Sequence, residues 1–475
     1  MMLGNIDMTD KIREECAVIG TSLKCEEAAG VVYNGLLALQ HRGQEGAGIA
    51  LSYNQSIIVE KDIGLVNEVL TEKVLATLPK AKTAIGHARY STTGSNTIKN
   101  VQPFLTEYLT GRIATAHNGN ITNAKQIRSM LEKEGLDFSA TSDSEVVSSL
   151  IAYNVIIQKD LIKGVVEGAK ILCGAFSLVL MTGDKKLVAV RDPHGFRPLC
   201  IGKNEYGIAV ASESCALDSC GFDFVRDVKP GEVIIVENGD ITYSNVELTA
   251  NKQGLCIFEY VYFARPDSII DKLSVYEARF NMGRMLAIEH PVEADVVCGV
   301  PDSGLEAAMG YAYQSGIPLV SGFVKNRYIG RSFIYPSQLQ REHAVKIKLN
   351  PLRATIEGKR IVLVDDSIVR GTTSAKIISS LRSTNVKQVH MRISSPPFRH
   401  TCHFGTDIDN EKNLIANQLS IDEICQRIGA DSLGFISVEG LKKACSKSSL
   451  PFCTGCFNND YGTNSVKMSK YMLEE

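Results

Sequence analysis

The chain has 475 residues, of which 44% are hydrophobic and 22% charged, and its formal net charge is −2. That length exceeds one ordinary core and predicts two large domains. The near-zero charge and the lack of any apolar stretch long enough to span a bilayer leave no case for nucleic acid or membrane as partner.

In chain order, residues 1–15, "MMLGNIDMTDKIREE", mix acids and bases around no apolar block, so they are not a secretory signal and a cytoplasmic protein is expected. In that compartment the thirteen cysteines are not expected to form disulfides, and a cluster of them points to metal ligation or catalysis. Short β-rich runs follow from residue 16 to 250, among them "CAVIG", "GAGIALSY", "TAIGHARY", "GRIATAHNG", "AFSLVLMTG" and "EVIIVENG". Two longer helices are predicted among them, at 26–40 and 123–135. A strand-dominated domain whose helices cover sheet faces is an α+β layered sandwich.

Around 245–255 the pattern changes. Compact apolar runs, "ADVVCGV", "IPLVSGF", "KRIVLVDDS" and "QVHMRIS", then alternate with helix-like segments such as 304–315 and 373–383. Apolar strands alternating with helices predict a parallel sheet in an α/β domain over 251–475.

Within the first domain, Cys16 is followed in order by "HRGQEGAGI" (41–49), "GHARYSTTG" (86–94), "AHNGNITN" (116–123) and "TSDSEV" (141–146). Each alone is a turn, a core histidine or an Asx turn. Together they resemble the glutaminase domain of the N-terminal-nucleophile amidotransferases, an αββα sandwich. The resemblance implies that residues 1–15 are a propeptide and that Cys16 becomes residue one. Its free α-amine would then be the general base for its own thiol. It further implies that Cys16 attacks the carboxamide of glutamine, with Asn118 and the Gly119 N–H as oxyanion hole. Arg89 would hold the substrate carboxylate and Asp143 its ammonium.

In the second domain, "KRIVLVDDSIVRGTTSAKIISSLRS" sets Asp365 and Asp366 at the carboxyl end of a buried strand, where ligands of open α/β sheets bind. Gly371 permits a tight loop, and Thr372 and Thr373 open a helix whose N–H groups and hydroxyls suit a phosphate. Adjacent carboxylates beside a phosphate cradle suit hydroxyls or Mg²⁺. This string resembles the phosphoribosyl-pyrophosphate (PRPP) motif of type I phosphoribosyltransferases. By that resemblance Asp365 and Asp366 meet the ribose hydroxyls, and Ser367, Arg370, Gly371, Thr372 and Thr373 surround the 5-phosphate. "VVCGVPDSG" supplies Asp302, Ser303 and Gly304 as the matching pyrophosphate loop, with Mg²⁺ near Ser303, Asp365 and Asp366. The basic stretch 325–350, with Lys325, Arg327, Arg331, Arg341, Lys346 and Lys348, reads as a lid over the diphosphate.

Glutaminase before phosphoribosyltransferase is the layout of the amidophosphoribosyltransferase family, which "DPHGFRPL" (192–199), "ASES" (211–214) and "FEYVYFARPDS" (258–268) also resemble. The family implies glutamine and PRPP as substrates, purine nucleotides as feedback inhibitors, and a homo-oligomer, usually a tetramer. It also implies a closed passage for ammonia. Cys453 and Cys456 form a CxxC, which by itself fits a redox pair, a zinc half-site or chance. With Cys256 and Cys402 they match the ligands of the family's iron–sulfur subclass, implying a [4Fe–4S] cluster, with Cys₄ zinc as the physical alternative. The other eight cysteines, Cys25, Cys173, Cys200, Cys215, Cys220, Cys298, Cys425 and Cys445, are expected to be buried small hydrophobes. One rival is another glutamine amidotransferase, which would lack "VLVDDSIVRGTT". The other is a PRPP-sensing regulator with an inert glutaminase-like domain, which predicts loss of Cys16 or Arg89; both are present.

Overall fold

The alternating apolar runs of the first half pair into two antiparallel sheets, one of seven strands and one of six. The computed structural model describes residues 16–90, 94–109, 111–326, 349–406, 408, 410–463 and 473–474. The propeptide expectation (1–15) and the lid cations Arg327, Arg331, Arg341, Lys346 and Lys348 lie outside the described residues.

The sheets pack face to face because side chains alternate between faces along each strand. Val18, Ala50 and Ile85 of the first meet Ala116, Val179 and Met181 of the second in one dry layer. The outer face of the first sheet is covered by helices Ala28–Ala38 and Ser214–Ser219 through Val32, Leu36 and Leu217. Helices Ala124–Lys133, Asp143–Gln158 and Leu161–Ile171 cover the second. The result is the four-layer αββα sandwich.

In the second half, strands Val296–Gly299, Arg360–Asp365, Gln388–Ile393 and Ser432–Phe435 form a parallel sheet in that order. Helices cover both of its faces. Met282, Leu286 and Tyr311 pack on one side, and Ile377, Leu381 and Ile424 on the other. Pairing of Gly299 with Val364 sets the two loops of interest side by side at the carboxyl ends of neighbouring strands.

Two expectations need correction. "IPLVSGF" is not a full strand: Leu319 makes a single parallel bridge to Val297, and only Phe323–Lys325 extends further. Pro318 has no N–H to give to a ladder, although its carbonyl accepts from the Val297 N–H at 2.9 Å. Cys173 is exposed, not buried, and Cys25, Cys220 and Cys425 are only half-buried. Cys173 sits in the turn between helix Leu161–Ile171 and strand Gly174–Thr182, at the rim of the sheet.

Candidate active sites

Cys16 immediately precedes strand Ala17–Leu23, whose Ala17 pairs with Ala88 of strand Thr83–Arg89. This register places Arg89 and Tyr90 beside the thiol. The Cys16 Sγ donates to the Tyr90 carbonyl at 3.2 Å and accepts from the Tyr90 N–H at 3.4 Å. It is 5% exposed. Burial pushes the thiol up to about 11, opposed by the Tyr90 hydrogen bond and the Arg89 charge. A thiol that weakly acidic needs a base at neutral pH.

The guanidinium of Arg89 is buried and donates to Asn96 Oδ1 and the Ser95 carbonyl, both at 3.2 Å. Asp143 opens helix Asp143–Gln158, and its Oδ2 accepts the Ile121 N–H at 3.0 Å. Cys16, Arg89 and Asp143 feel one another's charge, so the structure brings these three predicted residues together. The facing strand Gly111–Ile121 is tied to them by His87, whose Nε2 lies 3.2 Å from the His117 carbonyl. On that strand, Asn118 Nδ2 is buried without a hydrogen-bond partner. A buried donor left unsatisfied is costly and calls for an explanation. Gly119 has φ +145°, and a Cβ there would lie 2.0 Å from the Ala175 carbonyl oxygen, so only glycine fits. Glu474 also reaches this region, accepting the Ser95 N–H at 2.7 Å.

At the second site, Asp365 and Asp366 end strand Arg360–Asp365 and are fully buried. Asp366 accepts hydrogen bonds from the hydroxyls of Ser303 and Ser367. Lys325 pairs with Asp302. Gly304 lets the first loop approach the second strand, since a Cβ there would be 2.4 Å from the Val364 carbonyl oxygen. Gly371, at φ +82°, caps helix Thr372–Arg382, with Arg370 and Thr372 exposed and Thr373 half-buried. An exposed helix N-terminus after a left-handed glycine points its N–H groups toward a site for an anion.

Cys256, Cys402, Cys453 and Cys456 line one cavity with Phe196 and Phe404. Parallel pairing of Leu255–Cys256 with Phe452–Cys453 sets Cys256 beside Cys453, and the Cys456 carbonyl accepts N–H bonds from Arg399 and His400. Burial, then the charges of Cys256, Cys402 and Cys453, push the Cys456 thiol well up. Among the described residues, no three or more His, Cys, Asp or Glu side chains are arranged to hold a metal ion.

The strings "HRGQ", "ASES", "DPHGFRPL" and "FEYVYFARPDS" carry residues whose roles sequence reasoning missed. His41, Arg42, Arg197, Glu213 and Glu259 form a charge network joining the two halves. Only Glu259, a charge inside the otherwise apolar run "FEYVYF", gave a local signal.

A glutamine amidotransferase domain model matches residues 87–219 and a phosphoribosyl transferase domain model residues 284–401. Amidophosphoribosyltransferase of Methanocaldococcus jannaschii is 46% identical over 97% of this chain and 100% of its own. The Bacillus subtilis enzyme of that name is 46% identical over 95% of each chain. A solved structure of glutamine PRPP amidotransferase from Bacillus subtilis, complexed with ADP and GMP, aligns with TM-score 0.87 at 42% identity over 97% of this chain and 100% of that one. Two sites in two domains, matched end to end by these relatives, place this chain in the amidophosphoribosyltransferase family.

Proposed function

We propose that this chain makes 5-phosphoribosylamine, glutamate and pyrophosphate from PRPP, glutamine and water, the first committed step of purine synthesis. The observation that carries this reading is the pairing of a buried, base-requiring thiol and an unpartnered Asn118 Nδ2 in the first half with an acidic strand end above a helix N-terminus in the second.

Hydrolysis of the peptide bond between Glu15 and Cys16, with water giving its hydroxyl to the Glu15 carbonyl and a proton to the nitrogen, leaves Cys16 a free α-amine. That amine takes the thiol proton as Sγ attacks the glutamine amide carbon. Asn118 Nδ2 and the Gly119 N–H donate to the developing oxyanion. Arg89 and Asp143 hold the two charged ends of the substrate. Ammonia leaves and water hydrolyses the glutamyl thioester. At the second site Asp365 and Asp366 hold the ribose hydroxyls, and Ser367–Thr373 the 5-phosphate. Neutral ammonia then attacks C1 as pyrophosphate departs, through an oxocarbenium-like state in which positioning dominates. A closed passage between the sites keeps ammonia from water.

The oxygen donors of Ser303, Asp365 and Asp366 suit Mg²⁺, a hard cation, and these residues would hold it. When bound it neutralises the diphosphate. The four cysteines suit a [4Fe–4S] cluster. Four thiols lining one cavity support this reading of the iron–sulfur subclass, and four thiolates are equally the donor set of a tetrahedral zinc site. The cluster's contribution is structural, joining three distant segments. We also propose purine nucleotides as feedback inhibitors, because a relative's structure holds ADP and GMP, and a cytoplasmic homotetramer. Among the described residues no helix is long and apolar enough to cross a membrane.

PRPP-dependent pyrophosphate release tests the reading. The wild-type chain is expected to use glutamine or ammonia, Cys16→Ala only ammonia, and Asp366→Asn neither. A wild-type chain inactive with both nitrogen sources would overturn it.

A further inference from the structure

Glu259 belongs to the second half of the chain, yet its carboxylate is fully buried against the first. Its Oε2 accepts from Arg42 Nη1 and its Oε1 from Arg42 Nη2, both at 2.9 Å. The same guanidinium reaches Glu213 Oε1 at 2.7 Å and, through Nε, the backbone carbonyl of Cys16 at 3.2 Å. Arg197 adds a second cation 3.5 Å from Glu259. Arg42, Arg197, Glu213 and Glu259 are all at most 1% exposed. A buried ion network of this kind is weak evidence for stability, so a specific role for it is the better question.

The role follows from what Arg42 touches. Resting on the proposed reading, Cys16 is the first residue of the active chain, with nothing on its amino side to restrain it. The amine and the thiol keep their mutual geometry only if the carbonyl end is fixed. Arg42 fixes it with a charge-assisted hydrogen bond, and Arg42 is aimed by a two-point clamp on Glu259. Glu259 in turn opens the segment Glu259–Phe263, whose Tyr260 and Tyr262 carbonyls, with that of Ala264, accept from Arg279. Arg279 lies 3.8 Å from Glu306, on the helix that follows the Pro301–Gly304 loop.

We infer that Glu259 is a positioning residue for the glutaminase reaction: the phosphoribosyltransferase half completes the nucleophile's site from across the domain boundary. Glu259 touches neither substrate; it acts through Arg42 on Cys16.

The test uses the full chain with Glu259→Gln, which keeps the shape and removes the charge. Glutamine-dependent kcat is expected to fall at least tenfold, with KM for glutamine within twofold because Arg89 and Asp143 are untouched. Ammonia-dependent synthesis is expected to stay within twofold of wild type. An equal fall with both nitrogen sources would make Glu259 merely structural and overturn the inference, as would no fall with either. If Glu259→Gln does not fold, Glu259→Asp decides by the same split, with a smaller fall expected. A wild-type chain inactive with both sources would instead count against the underlying reading.

Discussion

The side-chain amide of Asn120 donates to the His403 carbonyl at 2.9 Å, across 283 residues of chain. Two residues on, a Cβ at Gly405 would lie 3.3 Å from the Gly119 carbonyl carbon. The segment that carries Cys402 therefore braces the strand that carries Asn118 and Gly119. The cysteine cavity and the strand of Asn118 and Gly119 are parts of one packed unit.

Two substitutions on that strand separate bracing from chemistry. Asn120→Ala removes the bond to His403, worth about 1 kcal/mol, and is expected to lower glutamine-dependent kcat about fivefold. Asn118→Ala removes the proposed oxyanion donor itself and is expected to cost about a hundredfold or more in the same quantity. Ammonia-dependent rates should hold for both, and steady-state assays with each nitrogen source check this.

The pH profile identifies the base. Burial holds the Cys16 thiol at about 11, whereas an α-amine titrates at about 7.7–8.0. With the amine as base, kcat/KM for glutamine rises through the amine's range and levels off. If the thiol had to ionise unaided, the rate would keep climbing toward about 11.

Acid stability reports on the interdomain network. Burial raises the Glu213 carboxyl, but the His41 and Arg42 contacts outweigh it and hold the group well below the usual carboxylate range. A depressed carboxyl stabilises the fold fully above its unfolded value, about 4.3. That contribution is lost as pH falls below it toward the folded value. Glu213→Gln is expected to destabilise the protein by about 3–5 kcal/mol at pH 7. It should also flatten the acid limb of stability against pH, measured by urea unfolding between about pH 7 and pH 3.

The α+β layered sandwich and the parallel sheet were legible because β-rich and continuous apolar runs report burial, while the αββα order came with the family resemblance. Strand Ser432–Phe435 escaped notice because "SLGF" is short, half-polar and lies at the sheet edge. Cys16, Arg89, Asn118 and Asp143 stood out only as an ordered set of short strings. The Arg42–Glu259 clamp joins residues 217 apart, and no local pattern announces such a pairing. Cys173 was misread because a cysteine's burial depends on where its turn meets the rim, which composition does not carry.

Metal analysis separates the two fillings of the cysteine cavity. Anaerobically purified protein is expected to hold iron and acid-labile sulfide in the amount of one [4Fe–4S] cluster per chain. Cys453→Ser should lose both, together with thermal stability. One zinc per chain, without iron, would contradict the cluster and leave the two-site enzyme standing.

The most direct test of the whole account follows the nitrogen. The protein is incubated with PRPP, Mg²⁺ and glutamine labelled with 15N in its amide, and the phosphoribosylamine is trapped and weighed by mass spectrometry. The account predicts heavy nitrogen on the ribose from the wild-type chain and no labelled product from Cys16→Ala. Glutamate formed with no labelled phosphoribosylamine would contradict it.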